Sequence, residues 1–251
     1  MFDLTGRVVV ITGGNGGIGL GMGRAVASAG ATVAIWARNP EKSAAALREL
    51  TEAGHEAAAF EVDVADESAV EAATTATLER FGRIDTMIAN AGVSLPGPIH
   101  TLPFEQWRKV MAVNLDGTFL CLRAAAAHMI DRGDGGALVA VTSTSAIHGA
   151  PGNEAYSASK TAVLGLVRGL AVELARHGVR ANSLMPGWTE TELTAPLQSW
   201  DKFMASTTAR TPVRRWGTPE DMGAAAVFLA DPTLSFHTGD CIVVDGGYTI
   251  F

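Results

Sequence analysis

The stretch Thr12-Gly13-Gly14-Asn15-Gly16-Gly17-Ile18-Gly19 separates two segments of opposite character. Before it, Arg7 to Thr12 (RVVVIT) is a β-branched run with the pattern of a buried strand. After it, a helix is expected from about Ile18 to Ser28, closed by Gly30. Glycines between a strand and a helix permit a tight turn and let the backbone approach a pyrophosphate. The helix N-terminus beyond them offers unpaired N–H groups and a partial positive charge. Any turn can be glycine-rich for conformational reasons alone, so the stretch takes its meaning from its context. It lacks the Gly-Lys-Ser/Thr ending of a P-loop, which disfavours a nucleotide triphosphatase.

Downstream the unit repeats. Strands are expected at Thr32–Trp36, Ala58–Val62, Asp85–Asn90, Ala137–Thr142, Val179–Leu184 and Cys241–Val244. Helices are expected from Pro40 to Gly54, Glu67 to Phe81, Phe104 toward Met129, Ala155 to Arg176 and Pro219 to Ala230. Residues 93–103 hold three prolines and a glycine and read as a loop, and the stretch from Gly187 to about Pro219 reads as irregular. Apolar strands alternating with helices predict a doubly wound α/β fold, a parallel sheet covered on both faces. No repeat or linker divides residues 1–251, so one domain is expected.

Composition narrows the function. The 251 residues are 47% hydrophobic and 18% charged, with a formal net charge of −7. That charge argues against nucleic acid and gives no support for an anionic membrane surface. No uninterrupted apolar stretch reads as a membrane span, and the N-terminus lacks the pattern of a signal peptide. Cys121 and Cys241 have no metal-ligand spacing and imply no disulfide framework, in keeping with a cytoplasmic protein.

Chemistry is carried by Tyr156 and Lys160, four residues apart on an expected helix and so on one of its faces. A free phenol with a pKa of about 10 is a poor acid or base at neutral pH. A nearby ammonium favours phenolate, and a tyrosine tuned in this way can give a proton to a carbonyl oxygen or take one from an alcohol. Standing alone, such a pair would merely decorate a helix.

It does not stand alone. The glycines are spaced Gly-x-x-x-Gly-x-Gly at Gly13, Gly17 and Gly19. There follow Asn90-Ala91-Gly92, Asn114 in mid-helix, Ser143 at a strand end, Tyr156-x-x-x-Lys160, Pro186-Gly187 with Thr191, and Asp245-Gly246-Gly247. In this order, over essentially the whole chain, the motifs resemble those of the short-chain dehydrogenases/reductases, in particular the compact single-domain, 3-oxoacyl reductase-like members.

The resemblance implies a Rossmann-type sheet of seven strands in the order 3-2-1-4-5-6-7, and a homotetramer or homodimer. It implies a nicotinamide dinucleotide held by Gly13, Asn15, Gly17, Ile18 and Gly19. Asp63 and Val64 would sit at the adenine, and Asn90, Ala91 and Gly92 would follow. Tyr156 and Lys160 would reach the ribose, with Pro186, Gly187, Thr189 and Thr191 on the nicotinamide side. Asp63 read by itself is equally an ordinary strand-end carboxylate. Ala37 stands where NAD-specific relatives carry an acid, and Arg38 could pair with a 2′-phosphate, which favours NADP over NAD; a solvated loop arginine is the competing reading.

The implied catalytic set is Asn114, Ser143, Tyr156 and Lys160. Tyr156 transfers the proton, Ser143 orients the oxygen, and Lys160 lowers the tyrosine pKa and holds the ribose. Asn114 interrupts its helix to hold a water that links Lys160 to solvent. Ser145 is the alternative to Ser143 within Thr142-Ser143-Thr144-Ser145, and Asn114 alone could be a helix asparagine bonded to backbone. By family position Ser145, Ile147, His148, Asn153 and Trp188 line the substrate side, under a lid over about residues 189–212. Its Leu193, Leu197, Trp200, Phe203 and Met204 suit closure over a substrate or, equally, core packing or a subunit contact.

His148 and Glu154 keep sugars and hydroxy acids in view. An acyl carrier protein is acidic and wants basic residues at the pocket mouth, whereas Asp131-Arg132-Gly133-Asp134 leans acidic. The expectation is therefore an oxidoreductase acting on a small-molecule ketone or secondary alcohol, with a 3-oxoacyl-thioester reductase as the alternative. A dinucleotide-binding redox sensor without turnover is the reading from another class, and the complete Asn114, Ser143, Tyr156 and Lys160 set speaks against it. A sugar-nucleotide epimerase would need a further substrate domain after Gly187.

Overall fold

The computed structural model describes residues 2–251. Seven strands pair in parallel in the order β3-β2-β1-β4-β5-β6-β7. They are β1 (Val8–Thr12), β2 (Thr32–Ala37), β3 (Ala57–Glu61), β4 (Thr86–Ala89), β5 (Gly136–Val141), β6 (Val179–Pro186) and β7 (Cys241–Val244). Nine α-helices accompany them among the described residues: α1 (Gly17–Ser28), α2 (Pro40–Glu52), α3 (Glu67–Phe81), α4 (Phe104–Met111), α5 (Gly117–Arg132), α6 (Glu154–Leu174), α7 (Ala195–Gln198), α8 (Asp201–Arg210) and α9 (Gly223–Ala230).

The sheet is apolar on both faces because successive side chains alternate. Val10, Ala34, Met87 and Leu138 turn toward α3, α5 and α6, where Val70, Leu122 and Val163 meet them. Val9, Ile11, Val33 and Ile88 turn the other way, toward Met22 of α1, Leu50 of α2 and Leu229 of α9. Strand order reverses between β1 and β4, and the crevice there lies at the carboxyl ends of the strands. Thr12 bridges it. Its hydroxyl accepts from the Asn90 and Ala91 N–H groups at 2.9 Å, and its carbonyl accepts from Asn90 Nδ2 at 2.9 Å.

Two elements differ from the sequence reading. The single helix expected from Phe104 is broken by a π-helical turn over Ala112–Asp116, after which α5 continues to Arg132. The whole run from Phe104 to Arg132 is long and apolar enough to cross a bilayer, contrary to the expectation that no such stretch exists. Half of its most apolar window is buried, as fits a core helix. The lid is not irregular either: α7 and α8 form within it. Phe203 and Thr207 share one face of α8, and the Thr207 hydroxyl accepts from the Trp216 indole at 2.9 Å. That contact lies outside the helix, where local propensity could not reveal it.

At the opposite end of the sheet Asp85, only 6% exposed in its side chain, is ringed by Arg7, Arg83 and Arg132 and accepts from Val8 N–H at 2.9 Å. Burial alone would raise its pKa, but the Arg83 hydrogen bond, the Val8 N–H and the neighbouring guanidinium charges bring it below the ordinary value. Asp85→Ala should therefore cost about 3 kcal/mol in urea unfolding at pH 7, because three cations lose their acceptor. The contribution is present above the unfolded carboxylate pKa and is lost as pH falls through the lower folded value. The gap between variant and wild type should accordingly narrow in acid.

Candidate active site

The glycine-rich turn brings backbone to backbone. Gly13 and Gly17 have φ of 63° and 48°, left-handed values that favour glycine. A Cβ on Gly19 would lie 2.2 Å from the Gly13 carbonyl oxygen, so α1 can start where it does only without a side chain there. Gly16 caps α1 and supplies no side-chain hydrogen bond. The first N–H groups of a twelve-residue helix are thus left for an external acceptor, a fit for an anionic pyrophosphate.

Asn15 holds the turn to the start of α2, donating to Ser43 Oγ at 3.1 Å and to the Asn39 carbonyl at 3.3 Å. Arg38 is exposed, 3.7 Å from Asp63 Oδ2. Asp63 Oδ1 meanwhile accepts from the Ala65 N–H at 3.1 Å, the strand-end role that the residue by itself suggested. Val64 is buried beneath α5, where a Cβ on Gly117 would come within 2.8 Å of it. The carboxyl ends of β1, β2 and β3 therefore carry the residues expected at the adenosine half.

Tyr156 and Lys160 both sit on α6. Ser143 Oγ accepts from both the hydroxyl and the N–H of Ser145, at 2.8 and 3.2 Å. Its own proton is thereby left for the Tyr156 oxygen. Ser145 thus supports Ser143 rather than replacing it. Burial raises the Tyr156 phenol above its ordinary pKa, and a hydrogen bond with Ser143 opposes the rise. Lys160 is buried, donates to the Val141 carbonyl at 2.7 Å and lies 5.8 Å from the Tyr156 ring centre. Burial pushes its ammonium down to about 8. The same desolvation acts on both groups, and the ammonium makes its contact with a carbonyl.

Asn114 is fully buried on the π turn and bonds three ways. Oδ1 accepts from the Val93 N–H at 2.8 Å, while Nδ2 donates to the Val93 carbonyl at 3.0 Å and to Ser159 Oγ at 3.1 Å. Its own carbonyl accepts from the Thr118 hydroxyl at 2.8 Å. The structure thus displays the side chain as a strut between the loop after β4 and α6. Ile147 is exposed at the edge of this side. The Asn153 Oδ1 accepts from Ser94 at 3.0 Å, joining two loops over it.

The lid crosses the crevice. The Thr191 methyl lies 3.3 Å from where a Gly17 Cβ would be, and Glu192 forms an ion pair with Lys42 on α2. Thr194 holds the lid's base together, its hydroxyl donating to the Thr189 carbonyl at 2.7 Å and accepting from the Thr191 N–H at 3.0 Å. Pro186-Gly187 meets the C-terminal motif: a Cβ on Gly187 would fall 2.7 Å from Asp245. Trp188 stacks on Trp216 with ring centres 5.2 Å apart, and a cavity of about 220 Å³ opens behind it toward Asp221 and Asp245. Lys42, Ser43, Ser159, Thr194 and Trp216 were not singled out in the sequence. Only Ser159 carried a signal, its place between Tyr156 and Lys160.

Comparison with known proteins agrees with this geometry. Residues 13–249 match the family model described as enoyl-(acyl carrier protein) reductase. The chain is 39% identical to cis-4-hydroxycyclohexanecarboxylate dehydrogenase of Sinomonas cyclohexanicum, over 97% of this chain and 96% of that one. It is 36% identical to gluconate 5-dehydrogenase of Gluconobacter oxydans, over 100% and 97%. The crystal structure of a gluconate 5-dehydrogenase from Burkholderia cenocepacia in complex with NADP and tartrate superposes with a TM-score of 0.94 at 39% identity, covering 99% and 97%. The chain belongs to the short-chain dehydrogenase/reductase family. As a member it is an oxidoreductase of small-molecule alcohols and ketones that uses NADP or NAD.

The buried ammonium leaves a mark on stability. An unfolded lysine keeps its proton to about pH 10.5, whereas Lys160 in the fold releases it near 8. The native state is therefore penalised below pH 8, by about 3 kcal/mol, and relieved between pH 8 and 10.5. Urea unfolding of wild type and Lys160→Met should show the wild type gaining on the variant by about that amount across this window.

Proposed function

We propose that the protein interconverts a secondary alcohol and a ketone on a small polar molecule through Tyr156, Ser143, Lys160 and Asn114, with NADP as the preferred cofactor. The observation that carries this reading is the buried Lys160 behind a phenol hydrogen-bonded to Ser143, itself held by Ser145. The bound dinucleotide supplies or accepts a hydride at its nicotinamide ring. Ser143 turns its proton from Tyr156 to the substrate oxygen and fixes the carbonyl in place. Tyr156, protonated under its raised pKa, gives its proton to that oxygen as charge develops there; alcohol oxidation runs the step in reverse from the phenolate, after its proton has left through Lys160. Lys160, near 8, exchanges a proton readily around neutral pH and serves as the relay behind the phenol. Asn114 holds the loop after β4 against α6 so that this row keeps its spacing.

The NADP preference rests on Arg38. Its pairing with Asp63 is exposed on both sides and worth little, which leaves the guanidinium free to take a 2′-phosphate. Asp63 then turns to the adenine amino group. Gly13, Gly17, Ile18, Gly19 and the Asn90-Ala91-Gly92 corridor hold the pyrophosphate and ribose, with Pro186, Gly187, Thr189 and Thr191 at the nicotinamide. Exposed Phe104, Phe119 and Val172 on α4, α5 and α6 support assembly as a homotetramer or homodimer, and the two free thiols support a cytoplasmic location.

Tyr156→Phe should retain cofactor binding while kcat falls roughly 10²- to 10⁴-fold. Near-normal turnover would remove Tyr156 from the role of proton donor. In parallel fluorescence titrations with NADPH and NADH, Arg38→Ala should weaken NADPH binding about tenfold and leave NADH unchanged. Equal losses for both cofactors would end the 2′-phosphate assignment.

A further inference from the structure

One sequence motif, Asp245-Gly246-Gly247, has a structural role that hydride transfer does not account for. Asp245 folds the segment after β7 into a turn by accepting from the Gly247 and Thr249 N–H groups, both at 2.8 Å. Gly246 and Gly247 adopt φ of 62° and 87°. A Cβ on either would come within 2.8 Å of Thr211 or Pro212, so the turn seats flush on the end of the lid. The seating places Tyr248 at the substrate side. His148, from the segment just after Ser143 and Ser145, meets its ring edge-on at 6.1 Å, and Trp188 does so at 6.5 Å.

Arg210 covers the same ring, its Cζ 4.3 Å from the ring centre. It follows Phe203 and Thr207 at i, i+4 and i+7 and so lies on the α8 face that meets Trp188 and Trp216. Among the described residues Arg210 has no carboxylate within ion-pair distance, although Asp and Glu outnumber Lys and Arg by 26 to 19 in the chain. On the same tyrosine, His148 Nε2 is buried without a hydrogen-bond partner. Five buried side-chain polar atoms lack a partner among the described residues. Three of them, on His148, Glu154 and Ser157, belong to the segment from Ser143 to Ser159, and a fourth, on Trp188, meets the Tyr248 ring that His148 also meets. A buried polar atom without a partner is costly, so these atoms favour a polar ligand over a hydrocarbon chain.

We propose that Arg210, steadied on Tyr248 and assisted by His148, is the seat for a substrate carboxylate, and that the substrate is a small hydroxy acid or its keto acid. A guanidinium presents two parallel N–H groups to a carboxylate, and the tyrosine face fixes its plane beforehand. Glu154 Oε1 already accepts from the Gly152 N–H at 3.0 Å, which leaves the unpartnered Oε2 for a substrate hydroxyl. The acid end and the hydroxyl end of the substrate are thereby told apart. The seat rests on the oxidoreductase reading above and names the substrate class for the same site.

The test uses the full-length enzyme with saturating NADPH, titrating gluconate and tartrate by protein fluorescence against sorbitol, a neutral polyol. The acids should bind at least tenfold tighter than sorbitol. Arg210→Met should weaken the acids roughly 10- to 100-fold, Arg210→Lys should recover part of the loss, and Arg48→Met on α2 should change nothing. Steady-state oxidation of gluconate with NADP should show the Arg210→Met loss in KM rather than kcat. Equal binding of acids and sorbitol, or acid binding indifferent to Arg210→Met, would overturn the seat. Acid binding that depends on Arg210 without any turnover would leave the seat standing and overturn the proposed reaction instead.

Discussion

Three hydrogen bonds from one buried amide, that of Asn114, fix where everything at the site can stand. The side chain spans the gap between the loop leaving β4 and the α6 helix, and a regular α-helix does not place it there. The π turn over Ala112–Asp116 is the deformation that does. Thr118 accommodates it by bonding the carbonyl of Asn114. Ser159, held by the amide, in turn bonds the Tyr156 carbonyl at 2.7 Å. The chain of contacts runs without a break from a helix irregularity to the backbone of the reactive phenol. A site of this kind is preorganised by its surroundings, and the cost of burying the Asn114 amide is met by pairing both its oxygen and its nitrogen.

Lys160 shows the opposite economy. Its ammonium is buried with a carbonyl at 2.7 Å and no carboxylate partner among the described residues, and it is held there at the expense of stability. Asp85, at the other end of the sheet, is just as buried yet ringed by three arginines. One charge anchors the fold, while the other is kept reactive by being left with little. Ser145, spent on supporting Ser143, belongs to the first kind of residue despite its place beside the reactive group.

The fold was legible in the sequence because its causes are local and repeated. Runs such as Val8–Thr12 and Val179–Pro186 are apolar on both faces, and helices separate them, so parallel pairing follows. The dinucleotide crevice was legible for the same reason, since the glycines mark places where backbone must approach backbone. What stayed hidden depends on contacts far along the chain. Helix α8 forms where Thr207 can meet Trp216, and no signal in residues 187–219 announced it. That Lys160 bonds the Val141 carbonyl could not be read from its place four residues after Tyr156. Arg210 and Tyr248 lie 38 positions apart and become neighbours only when the C-terminal turn seats on the lid.

The ion pair between Lys42 and Glu192 joins residues 150 positions apart, across a sheet in which every strand pairing is parallel. Parallel neighbours cannot be closed by a hairpin, so each pairing requires a long loop to be drawn in before it is rewarded. A chain built this way folds slowly, and its cleft takes shape only when both halves of the sheet have met. A dinucleotide that recognises the finished cleft binds the native state alone and pulls the folding equilibrium toward it. The cellular supply of the reactant then also governs how much of the newly made chain persists.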